Sequence, residues 1–372
     1  MFTSEKNQCL KINRNVAIDF IRVLMSFFVI YTHSVQYTNE LVSLPIGSIE
    51  HFVCMALYAL SLIAVPSFLM ISSSFLSNNN EKSSYNLKLV KKILASVLCL
   101  IIWSIFSYYV IMWDSNLNVA ENFLNCFFML TNSIVIGPMW YMHAYILFLI
   151  LSPILKKIIN IVSIKEFIYL FILYSVIVPI PNTVSQVFKV NGEIYMAKFF
   201  PELAFVFIFF IAGGIFKKNI NIIKIQKIKY IIGILCVSIM YWFNYNDLAK
   251  DINYDGMLHI SGYYSIYNPI FSILIFCLFI SVEDKINEWF NKHVFIARIV
   301  CNVASTTFII YLSGTIFIHI LTPYIMGWFV DNVVFATFVL TVFSWCAAFL
   351  FGSLWGICKS VIRRSVKRLN RI

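Results

Sequence analysis

Three ionisable side chains interrupt the first apolar stretch of the chain. Val16 to Tyr37 reads VAIDFIRVLMSFFVIYTHSVQY, long enough to span a bilayer, and it carries Asp19, Arg22 and His33. Charged and titratable groups at membrane depth are costly, so they mark a functional site or a structural ion pair. Arg22 and His33 are eleven positions apart, which on an α-helix puts them about 20° out of register and about 16 Å apart along the axis. Asp19 and Ser26 share the same stripe. A cation low on one helix face with an imidazole high above it suits a substrate that enters from one side of a membrane and reacts near the other. His33 is the candidate general base, because apolar surroundings favour its neutral, proton-accepting form. Arg22 is a candidate anion anchor. Asp19, one turn below it, either orients the guanidinium or simply pairs with it as a buried salt bridge.

The element that must carry these groups is one of many like it. The chain has 372 residues, 60% hydrophobic and 17% aromatic, with only 12% charged. A water-soluble fold cannot hide that much apolar surface, so the expectation is an all-α polytopic membrane helix bundle. Ten apolar segments stand out: 16–37, 52–76, 90–113, 138–155, 164–181, 199–216, 228–245, 264–282, 305–326 and 333–357. A weaker stretch, 121–136, reads as interfacial or re-entrant.

A net charge of +11 invites a nucleic-acid reading. The distribution of that charge points to membrane lipid instead. With the N-terminus placed in the cytoplasm, the outer loops hold only Lys189, Lys198 and Lys250. Nearly all other Lys and Arg residues fall on the inner side, as the positive-inside rule requires. This gives an N-in, C-in orientation, with the basic tail 358–372 lying against anionic headgroups. The first fifteen residues are polar and basic, and the helix after them is too long for a signal-peptide core, so it reads as an uncleaved anchor in the cell membrane. The cysteines are scattered without a CxxC, which indicates neither disulfides nor a metal site. The whole of 1–372 reads as a single integral-membrane domain. In the outer loop 246–263, Asp247, Asp251, Asp255 and His259 stand among tyrosines and either bind a sugar or form an aromatic, charged belt.

Several segments together resemble the integral-membrane acyltransferase type 3 family. The first helix has its Ile-Asp-x-x-Arg start and a histidine eleven positions after the arginine, here Ile18, Asp19, Arg22 and His33. VPSFLMISSSFL (Val65 to Leu76), GPMWYMHAYILFLILSPIL (Gly137 to Leu155) and the late STTFIIYLSGTIFIH follow the family's order and spacing. There are departures. The family's Ser-Gly is Ser72-Ser73, its arginine pair before the third span is replaced by Lys88, Lys91 and Lys92, a common tyrosine is Leu149, and the late histidine falls on Gly314 with His319 beyond it.

The resemblance implies transfer of an acyl group, usually acetyl from acetyl-CoA, to a hydroxyl of a cell-surface or lipid-linked carbohydrate. Some members of the family carry a fused extracytoplasmic domain; this sequence ends soon after its tenth apolar segment, so the stand-alone form is expected. Acyl transfer from a thioester to an alcohol needs a base, an oxyanion donor and a held acyl donor. On this reading His33 is the base. Arg22, Lys88, Lys91 and Lys92 hold the phosphates of acyl-CoA. His143, Trp140 and Tyr141 are candidates on the acceptor side, and Ser26, Ser72 or Tyr311 for the oxyanion. Two other classes stay open: a transporter or flippase of lipid-linked glycan, although no internal repeat is visible, and an electron carrier with His33 and His143 as haem ligands.

Overall fold

The computed structural model describes residues 14–77, 86–132, 137–181, 201–245, 249 and 265–369. Among them there are helices and connecting turns and no strand. The helices are α1 (Val16–Thr38), α2 (Glu40–Ser43), α3 (Ile49–Ser61), α4 (Ala64–Ser74), α5 (Leu87–Ser107), α6 (Val119–Asn132) and α7 (Trp140–Ile161). They continue with α8 (Ile164–Ile177), α9 (Pro201–Lys218), α10 (Ile220–Ile225), α11 (Lys227–Phe243), α12 (Tyr267–Lys292), α13 (Val294–Trp328) and α14 (Val333–Leu369). Seven of the described helical segments are long and apolar enough to cross a membrane: 16–38, 49–74, 87–112, 137–161, 164–181, 294–328 and 333–357. Helices α9, α11 and α12 occupy the other three stretches expected as spans. The outer-loop residues Asp247, Asp251, Asp255 and His259 lie outside the described residues.

Helix α1 is the hub, packed against α3, α4, α12, α13 and α14. It starts where the Asn15 side chain accepts from the Ile18 amide at 3.2 Å. It ends at Asn39, whose left-handed backbone (φ 53°) lets its N–H bond back to Val35 and Gln36. A polar staple holds its lower end. Asn15 donates to Glu283 of α12, Lys217 of α9 lies 3.0 Å from both Glu283 oxygens, and Asn287 accepts from the Ala17 amide at 2.9 Å.

The second expected span is two helices, α3 and α4. Pro66 has no N–H for the Leu62 carbonyl and its ring crowds that carbonyl, so the helix restarts at Ala64 with the proline in its first turn. Pro153 sits inside α7 and likewise leaves the Leu149 carbonyl without its helical donor; the Ser152 hydroxyl bonds it at 2.8 Å. Residues 121–132 of the weak stretch lie in the separate helix α6. It is anchored by buried Asn122, which accepts from the Tyr108 hydroxyl (3.3 Å) and donates to the Asp114 carbonyl (2.8 Å).

Two boundaries differ from the sequence reading. Residues 283–304, left between two expected spans, are helical on either side of His293, where α12 and α13 meet. The backbone of the basic tail also continues as α14 to Leu369.

Candidate active site

Arg22 emerges from the lower part of α1 in a network that fixes its head. Its Nη1 lies 3.3 Å from Asp19 Oδ1, and its Nη2 donates to Thr307 Oγ1 of α13 at 3.2 Å. Asp19 is buried and also pairs with Arg14, whose Nη2 is 3.0 Å from Oδ1. The ion pair and the anchor are therefore not alternatives. Asp19 holds Arg22 by one edge, and Arg22 still lines a cavity.

That cavity has a volume of about 1460 Å³ and lies between α1, α4, α5, α7 and α13. Ordinary small-molecule pockets occupy about 300–1,000 Å³, so this one has room for a large, extended ligand. Its rim is cationic. Lys88 and Lys92 project from the exposed first turns of α5, and Lys156 comes from the last part of α7. The Lys92 ammonium sits over the Tyr145 ring, 5.7 Å from its centroid, a cation–π arrangement. Further in, the walls become aromatic and aliphatic: Phe68, Tyr141, Phe148 and Tyr311, with Val29 of α1. Tyr141 and Tyr311 meet edge to face at 5.3 Å.

Val29 is one helical turn below His33 on the same side of α1. His33 is half-buried and is not itself a wall residue of this cavity. Its Nδ1 lies 2.9 Å from Gln36 Oε1, and Gln36 Nε2 donates to the Tyr58 hydroxyl at 3.3 Å.

The structure thus brings together Arg22, Lys88, Lys92 and Tyr141 on one cavity wall, and besides His33 it leaves three other candidates off that wall. Lys91 is exposed and does not line the cavity. His143 is exposed on the face of α7 opposite the Tyr141–Tyr145 stripe, with Nδ1 3.1 Å from the Met139 carbonyl. Trp140 packs edge-on to Tyr141 and Phe205, outside the cavity wall.

Of the oxyanion candidates, Ser72 and Tyr311 line the cavity, and the Tyr311 hydroxyl donates to the Pro138 carbonyl. Ser26 is engaged elsewhere, accepting from the Trp345 indole at 3.1 Å. Gly314 packs against Ile30 so closely that a Cβ there would stand 1.9 Å from Ile30 Cδ1. A side chain there would have to displace Ile30, and His319 lies edge-on to Tyr37 at 6.1 Å. Among the described residues no cluster of three His, Cys, Asp or Glu side chains is placed to hold a metal ion.

Lys156, Tyr145, Ser152 and Thr307 are cavity residues that the sequence reading missed. A signal for three of them existed. Tyr141, Tyr145, Phe148, Ser152 and Lys156 follow one helical stripe of α7.

The family model described as an acyltransferase domain matches residues 15–354. No curated protein and no solved structure matches the chain. With nearly its whole length covered by that model, this multi-pass membrane protein belongs to the acyltransferase type 3 family and is an acyltransferase that moves a group other than an aminoacyl group.

Proposed function

We propose that the enzyme transfers an acyl group, acetyl in the simplest case, from cytoplasmic acyl-CoA to a hydroxyl of a cell-surface or lipid-linked carbohydrate. It sits in the cytoplasmic membrane as ten spans with both termini inside. The observation that carries this reading is the cavity itself. It begins at a ring of cations and runs along an aromatic throat to Val29, one turn short of His33. The volume and lining suit the donor: cations for a polyanionic nucleotide, and an aromatic and aliphatic wall for a long pantetheine arm ending in a thioester.

Lys88, Lys92 and Lys156 bind the nucleotide phosphates by charge-assisted hydrogen bonds, and Arg22 extends the positive field inward. His33 takes the proton of the acceptor hydroxyl as its oxygen adds to the thioester carbonyl carbon. The intermediate collapses by breaking the C–S bond. The ester leaves on the carbohydrate, and the thiolate of CoA takes up the proton held by His33.

The test uses sealed membrane vesicles of both orientations, supplied with acetyl-labelled acetyl-CoA. Label enters glycan only when the donor reaches the inner face. Incorporation only from the outer face overturns the reading. Mass spectrometry of surface glycans from cells carrying His33→Ala examines the base independently, and loss of the acyl increment is the expected result.

A further inference from the structure

His33 makes one hydrogen bond to the protein among the described residues, and that bond decides what the ring can do. A neutral imidazole carries a proton on one nitrogen and a lone pair on the other. The nitrogen that carries the proton is set by the partner of the engaged one. Here Nδ1 faces an amide oxygen, Gln36 Oε1, at 2.9 Å. An amide oxygen can only accept, so Nδ1 must carry the hydrogen. Nε2 is then left with its lone pair.

The amide has its own restraint. Gln36 is half-buried three residues further along α1, and its Nε2 donates across to the hydroxyl oxygen of Tyr58 on α3 at 3.3 Å. Tyr58 is itself buried between the helices. With its Nε2 turned to Tyr58, the amide presents its oxygen to the imidazole. The side-chain order is Tyr58, Gln36, His33.

We infer that Gln36, pinned by Tyr58, is the positioning residue of the reaction, fixing His33 as the Nδ1–H tautomer so that Nε2 is the atom that accepts the hydroxyl proton. This rests on His33 being the base. Gln36 touches no reacting atom. It acts through the imidazole, by orienting the ring and by bonding to the imidazolium formed during transfer. The amide is neutral, so it sets the tautomer without the strong pull toward the charged ring that a carboxylate would exert.

The direct test needs no substrate. The protein has six histidines, so nitrogen NMR of histidine-labelled enzyme in lipid can be assigned to His33 by the signal lost in His33→Asn. The expected result is an Nδ1–H imidazole in the native enzyme that loses this preference in Gln36→Leu. An Nε2–H imidazole in the native enzyme overturns the inference, because the amide would then be donating.

Activity gives the second reading, as transfer of labelled acetyl from acetyl-CoA to glycan in membranes of the expressing cells. Gln36→Leu is expected to lower kcat about 10²-fold, with the KM for acetyl-CoA within about twofold of native. Gln36→Glu, whose carboxylate only accepts, is expected to keep most of kcat. It should also move the acid limb of the kcat/KM profile to higher pH, since a carboxylate beside Nδ1 favours the imidazolium. A residue that merely packs would not move that limb. Gln36→Glu as inactive as Gln36→Leu overturns the inference, as does native activity in Gln36→Leu. Where Gln36→Leu fails to fold, the Gln36→Glu profile and the native tautomer still decide it. An active His33→Ala variant would remove the base reading and this inference together. An inactive His33→Ala beside native-like Gln36 variants would remove only the inference.

Discussion

Arg22 donates to Thr307 at 3.2 Å, so the guanidinium that lines the cavity is held from two helices, by Asp19 on α1 and by Thr307 on α13. A planar fork can meet both partners at once, and a lysine ammonium at the same place can keep one. Arg22→Lys is therefore expected to raise the KM for acyl-CoA roughly tenfold, about 1.4 kcal/mol of binding, while kcat changes less. Arg22→Gln should lose more, since it also leaves buried Asp19 with Arg14 as its remaining cation. Donor titration of the two variants at fixed acceptor checks the order.

Lys156 is the least exposed of the three rim lysines, about 8% exposed where Lys88 and Lys92 stand in solvent. A phosphate meeting it is partly desolvated, and its charge is screened less than that of the outer pair. Lys156→Gln should raise the KM for acyl-CoA by about tenfold. The single changes Lys88→Gln and Lys92→Gln should do less, and their effect should fade with added salt. A thioester of pantetheine without phosphates is the control. If Lys156→Gln slows transfer from that short donor as much as from acyl-CoA, the lysine does not read phosphate.

The same lysine shows where sequence reading loses its grip. The polar stripe of α1 was legible because Asp19, Arg22 and His33 stand alone in apolar surroundings. Lys156 carries the same kind of charge, but it falls where the positive-inside pattern already accounts for lysines, so composition could not separate it from Lys157. Hydropathy also ended the spans at Glu283 and Asp284, although the helix does not end there. No glycine or proline stands between Pro269 and Gly314, and the chain stays helical until His293 and resumes at once. Nothing in composition marks Gln36 either. Its role appears only when α3 brings Tyr58 to its amide.

Beyond the end of α1, Glu40 is turned inward on α2 and is 1% exposed, accepting from the Cys54 thiol at 3.2 Å. Burial pushes its carboxyl up from an ordinary 4.5 to about 7, against a smaller opposing effect of the thiol bond. An acid whose folded value is raised binds its proton more tightly folded than unfolded. Its contribution to stability is thus largest below about pH 4.5 and is lost as pH rises through about 7. The loss is about 3 kcal/mol at most. Thermal unfolding in detergent should show a Tm that falls over this range, and Glu40→Gln should flatten it. An unchanged pH slope in the variant would assign the dependence to other groups.

Helix α9 approaches its neighbours through Gly213 and Gly214, and the two glycines should respond differently to the same substitution. A Cβ on Gly213 would stand 2.0 Å from the Met70 carbonyl oxygen of α4, which is backbone and cannot turn aside. A Cβ on Gly214 would stand 2.3 Å from Ile159 Cδ1 of α7, with Cγ1 at 2.8 Å and Cγ2 at 3.0 Å, all side-chain atoms that can shift where a backbone carbonyl cannot. Gly213→Ala must push α9 away from α4 and with it the cavity wall carrying Ser72, at a cost of about 3 kcal/mol. Gly214→Ala should cost less, about 1–2 kcal/mol, because Ile159 can repack where backbone cannot. Paired thermal unfolding curves in one detergent give the comparison, with acetyl transfer at a temperature where both variants are folded. If Gly213→Ala is the better tolerated of the two, helices α4 and α9 do not approach as closely in the bilayer as their backbones do here.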